Sequence, residues 1–85
     1  MAMNDSQDVS VLLFARAAEL AGADRLTISR PGTVAELRSA IVGAAPALEQ
    51  IAPSLLVAVD GAYAADDDAI GPAAEVAVFP PVSGG

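Results

Sequence analysis

Residues 33–44 restrict the fold more than any other stretch of this chain. Thr33 followed by Glu36 forms a capping box, in which the hydroxyl takes an amide of the first turn and the carboxylate reaches back. Val34, Leu37 and Ile41 then recur at helical spacing, with Ala40 and Ala44 expected to widen the apolar stripe. Gly43 weakens the last turn and Pro46 bars continuation. A lone amphipathic helix of this length cannot bury its stripe by itself. It needs a sheet to lie on.

The rest of the chain supplies short β runs. Val9, Val11 and Leu13 share one face of the first, while Leu12 and Phe14 occupy the other; such a strand is expected to be covered on both faces, hence central. Residues 15–21 have helix-forming composition, and Gly22 suits a left-handed cap. Residues 25–28 read as a second strand, residues 29–32 as a turn, and residues 46–53 hold one short helical turn around Leu48 and Ile51. A strand at 55–59 leads into Asp60-Gly61, a pair suited to a tight hairpin, with a brief return at Tyr63-Ala64. After an irregular stretch the last strand spans 75–79, with Val76 and Val78 facing one way. The order β(α)β-α-β-β-β predicts an α+β roll, a mixed sheet over one main helix in the β-grasp arrangement. If the last strand lies beside the first, the chain leaves from the middle of the sheet. The expected organisation is a flexible segment 1–8, a domain 9–79 and a functional tail 80–85.

That tail is Pro80-Pro81-Val82-Ser83-Gly84-Gly85. A Pro pair favours an extended path, and six residues reach at most about 20 Å at roughly 3.3 Å each. Glycines at both last positions keep the passage narrow and open backbone angles closed to other residues. A side chain at Gly85 would crowd a nucleophile attacking its carbonyl. An α-carboxylate is ionised and inert toward nucleophiles at neutral pH, so it must first be activated, most simply as a mixed anhydride with a nucleotide. The chain lacks a Gly-rich phosphate loop, which assigns activation to a separate protein. The plainer reading is a terminus whose glycines are incidental.

Composition narrows the chemistry. Cys and His are absent, removing thiolate and imidazole catalysis, and Lys is absent, removing Schiff-base chemistry. A biased preference for Arg also accounts for the missing Lys. Any active site of its own would have to run on carboxylates, Ser, Thr and Tyr63. A net charge of −7 with four basic residues excludes binding nucleic acid by phosphate neutralisation, and suits either a basic protein partner or solubility alone. Asp66-Asp67-Asp68 lacks the spacing of a calcium loop and is expected to be a solvated acidic turn, leaving no metal site. Arg16 and Glu19 either pair or stay solvated, and Tyr63 is a packing residue or a contact. Phe79 is either core or, on the face opposite Val78, an anchor for a partner. No run is long enough to span a membrane, and residues 1–8 lack the form of a signal peptide, so the expected location is the cytoplasm.

With these residues in view, the segments 11–22, 33–37, 56–59 and above all Glu75-Val-Ala-Val-Phe-Pro-Pro-Val-Ser-Gly-Gly85 resemble the MoaD-type branch of the MoaD/ThiS sulfur-carrier family. The resemblance covers nearly everything after Asp8 and is most specific at the ending. It implies a ubiquitin-like β-grasp fold and a carrier without an active site of its own. An ATP- and magnesium-using activating enzyme would adenylate Gly85, and a sulfur donor would convert it to a thiocarboxylate. The tail, with Gly84 beside the reacting carbon and Phe79, Pro80, Pro81, Val82 and Ser83 contacting the partner, would enter the large subunit of molybdopterin synthase in a heterotetramer. There its sulfur would pass to a pyranopterin precursor. No cofactor would be bound by this chain. Gly71-Pro72-Ala73-Ala74 stands where the family usually has an Asp-Gly-Asp-like turn, putting any contact of that turn in doubt. The alternatives are a carrier for another pathway such as thiazole synthesis, a ubiquitin-like modifier of protein lysines, and a plain interaction module.

Overall fold

The computed structural model describes residues 8–29, 31–71 and 74–81. Its elements are β1 (Asp8–Leu13), α1 (Ala15–Ala21), β2 (Arg25–Ser29), α2 (Val34–Ala44), single 3-10 turns at Pro46–Gln50 and Ala52–Ser54, β3 (Leu56–Val59), β4 (Ala62–Tyr63) and β5 (Glu75–Phe79). The order expected from the sequence is the order found.

The start of α2 explains why that helix forms where it does. The first amides of a helix have no partner within it. Here Val34 N–H donates to Asp68 O at 3.0 Å and Ala35 N–H to Asp66 O at 2.9 Å. Glu36 N–H donates to Thr33 Oγ1 at 3.2 Å, and Glu36 Oε1 accepts from Thr33 N–H at 3.2 Å and Gly32 N–H at 2.7 Å. The capping box is therefore complete. The acidic loop is folded against it, where the positive end of the helix dipole favours negative charge.

Five strands form one mixed sheet in the order β2-β1-β5-β3-β4. β5 is central, parallel to β1 through Val11↔Val76 and Leu13↔Val78, and antiparallel to β3 through Val76↔Val59 and Val78↔Val57. One face carries the core: Val9, Val11, Leu13, Ile28, Val57, Val76 and Val78 meet Val34, Leu37, Ile41, Ala17 and Leu48 from the helical layer. No polar or charged residue is buried among the described residues. Asp60 and Gly61 both take positive φ, 51 and 87, which gives the two-residue turn the twist a hairpin needs. The return strand therefore begins at Ala62, one residue before the expected Tyr63.

Two expectations fail. β1 lies inside the sheet, but its second face has no cover: Leu12 is half-buried and Phe14 is 49% exposed. Both helices and the 3-10 turns pack on the side of Val9, Val11 and Leu13, so among the described residues nothing is left to cover the other. On α2, Ala44 is exposed and its place against the core is taken by Ala45, buried one residue beyond the helix. There the chain leaves helical geometry ahead of Pro46, with φ −139 at Ala45.

The uncovered sheet face as candidate functional site

The open face of the sheet is built from the side chains that alternate away from the core. Register pairs set them in rows: Leu12↔Ala77 and Ala77↔Ala58 form one, continued by Tyr63 opposite Ala58, and Leu56↔Phe79 forms the next. β1 and β5 run the same way, so this face has a direction. Arg25, Ser10, Glu75 and Asp60 lie at the end where β5 begins, with Arg25 Nη1 donating to Ser10 Oγ at 3.2 Å. Phe14, Leu56, Tyr63 and Phe79 lie where it ends. A polar end grades into an apolar one.

At the apolar end the Phe79 ring stands between two others. Its centroid is 6.4 Å from Phe14, edge to face at 87°, and 5.9 Å from Tyr63 at a tilt of 44°. Phe14 and Tyr63 are 49% and 72% exposed, whereas Phe79 is half-buried. Phe14, Ala77 and Phe79 line a wholly apolar depression of about 380 Å³, which exists because Ala77 is small.

Of the sequence-predicted site residues, Phe79 ends the central strand on this open face, Pro80 follows half-buried and Pro81 is exposed. Val82, Ser83, Gly84 and Gly85 lie outside the described residues. Phe14, expected on a covered face, and Leu56, expected only as part of a strand, both lie beside Phe79 on the open one. The signal that joins Phe14 to Phe79 is the parallel register Leu13↔Val78, which sets their successors side by side.

Other candidates have structural roles. Asp66 Oδ1 accepts from Arg38 Nη2 at 2.8 Å, and Asp68 Oδ2 accepts from Ala65 N–H at 2.8 Å, so the exposed acidic turn is fastened in place. No group of three or more metal-ligating side chains occurs among the described residues. Arg16 and Glu19 are exposed on α1, and the ion pair among the described residues is Arg38–Asp66. No helix among the described residues is long and apolar enough to cross a membrane.

The sequence matches the model of the ThiS family over residues 11–85. A protein of Arabidopsis thaliana named molybdopterin synthase sulfur carrier subunit is 35% identical over 82 residues, covering 94% of this chain and 85% of that protein. A protein of the same name from Caenorhabditis briggsae is 38% identical over 81 residues, covering 91% of this chain and 96% of that one. Among solved structures, SAMP1 of Haloferax volcanii superposes with a TM-score of 0.81 at 35% identity, over 92% of this chain and 99% of that one. By a match that spans the fold and runs through the last residue, the chain belongs to the ThiS family.

Proposed function

We propose that this chain is a sulfur-carrier subunit of molybdopterin synthase and that its working group is the carboxyl of Gly85. The observation that carries this reading is the likeness, along nearly the whole chain, to two proteins that bear that name. The sequence without Cys, His or Lys agrees with it, since a carrier of this kind needs no reactive side chain.

In this reading a separate activating enzyme uses ATP and magnesium. A carboxylate oxygen of Gly85 attacks the α-phosphorus of ATP and pyrophosphate leaves, giving a mixed anhydride. Sulfide (HS−) released by a sulfur donor then attacks the carbonyl carbon and displaces AMP, leaving a thiocarboxylate. Gly84 and Gly85 keep that carbon unhindered, while Phe79 through Ser83 carry it into the large subunit of the synthase. The sulfur passes to a pyranopterin precursor, water supplies the oxygen that restores the Gly85 carboxylate, and the carboxylate is recharged. A heterotetramer with the large subunit and a cytoplasmic site of action belong to the same proposal.

The test is intact mass after incubation with activating enzyme, ATP and a sulfur donor. The expected change is one oxygen exchanged for one sulfur; an unchanged mass in a mixture that charges a known carrier would overturn the proposal. Adding one residue after Gly85 should abolish the exchange and leave the melting curve in place. A second reading has support of its own: a fold neighbour at 34% identity is named small archaeal modifier protein 1. Attachment of Gly85 to protein lysines would appear as conjugates of high mass in cells, without pterin sulfuration.

A further inference from the structure

The chain has two Phe, one Tyr and no Trp, and all three aromatic rings stand outside the core. Large rings ordinarily supply much of a small domain's buried area. Here Val, Leu, Ile and Ala fill the interior, and the rings are gathered where β5 ends. That is also where backbone restraint runs out. The ladder from β5 to β1 stops at Leu13↔Val78, and the ladder to β3 stops at Leu56↔Phe79. Pro80 has no N–H with which to continue either. Among the described residues, Phe79 is thus the last of β5 with a ladder partner, and its side chain is the last on the strand to pack on this face of the sheet.

We propose that Phe14 and Tyr63 are positioning residues, whose rings grip Phe79 from both sides and so set the direction in which the chain leaves the sheet at Pro80. Both ring pairs fall in the separation range at which aromatic pairs attract, one of them edge to face. Phe14 is tied to β5 by its own backbone, since its N–H donates to Val78 O at 3.1 Å. The next residue, Ala15, takes a φ of 54, a left-handed conformation rarely adopted by a residue with a Cβ. Backbone strain is thus spent at the joint that presents the Phe14 ring. On the other flank Tyr63 reaches Phe79 across Ala58, too small to obstruct it. The value of such a grip rests on the sulfur-carrier reading: a tail aimed beforehand loses less freedom on entering a narrow site.

The test joins a measurement on the free chain to one on the reaction. Carbon-13 relaxation at Pro81 is recorded for the wild type, Phe14→Ala, Tyr63→Ala and Tyr63→Phe, with amide dispersion confirming the fold. Phe14→Leu and Tyr63→Leu, which keep apolar bulk but lose the ring, replace any alanine variant that does not fold. The expected result is an order parameter at Pro81 falling from about 0.85 toward 0.6 when either ring is removed, and retained in Tyr63→Phe. The KM for the activating enzyme should rise about two- to tenfold while kcat moves less. Unchanged order at Pro81 on removal of either ring would overturn the grip, even if KM rose, since that ring would then act by touching the partner. Loss of order in Tyr63→Phe would overturn it too, by assigning the effect to the hydroxyl. A wild type that never takes up sulfur would sink the carrier reading and leave the relaxation result standing.

Discussion

Ala15 and Asp60 both hold a left-handed backbone, but in different circumstances. Asp60 is well placed: its N–H donates to Glu75 O at 2.8 Å and its Oδ1 accepts from Glu75 N–H at 2.9 Å, so the turn is stitched to the start of β5. Aspartate also tolerates this conformation better than most residues. Ala15 has no such compensation in its side chain, and the left-handed state costs an ordinary L-residue about 1–2 kcal/mol. Ala15→Gly should therefore stabilise the fold by about 1 kcal/mol, read as a higher urea midpoint at unchanged slope. A lower midpoint would show that the joint is not strained. The contrast also shows what a sequence discloses at this scale. Asp60-Gly61 announces its turn by residue type, whereas an alanine gives no sign of a left-handed angle imposed by the strand and helix on either side.

Among the elements, α2 was legible because its signals are local: cap, stripe and stop all lie within a few residues. Arg38 was not legible, because its partners are distant in sequence. Its Nη1 donates to Ala52 O at 2.7 Å and Leu55 O at 2.8 Å, and its Nη2 to Asp66 Oδ1 at 2.8 Å. One guanidinium thus ties α2 to the second 3-10 turn and to the acidic loop. The two carbonyls matter more than the ion pair, because Arg38 is only 19% exposed while Asp66 is 63% exposed and its attraction is screened by water. Arg38→Met keeps the apolar stem and removes the donors; it should cost about 1–3 kcal/mol in chemical denaturation. Asp66→Asn should cost less than about 1 kcal/mol, with the difference shrinking at high salt. Equal losses would mean that the ion pair, not the carbonyl bonds, fastens these segments. The role of Leu12 and Phe14 was hidden for a related reason. Alternation tells which residues share a face, but only the placement of both helices on one side leaves the other bare.

On the scale of the whole molecule, the mixed sheet followed from element order, whereas the central place of β5 hung on its lying beside β1, which the parallel register Val11↔Val76 and Leu13↔Val78 provides. The aromatic grouping did not follow, because it depends on which strand ends meet. The central strand also has a mechanical meaning. β5 is held over four register pairs by β1 and four by β3, and the tail continues from its end. A pull on the tail against an anchor at Asp8 loads the β1–β5 ladder in shear, all its bonds together. A pull against an anchor at Arg16, near the same end of the sheet, peels the β1 ladder open one bond at a time. With no native cysteine to compete, thiol handles placed at positions 8 or 16 and at the tail allow both geometries to be pulled in an optical trap. The first should yield at clearly higher force, and equal forces would refute the shear picture. A partner drawing the tail inward would then tow the whole domain after it, as a rope tows a barge, rather than unravel it from the end.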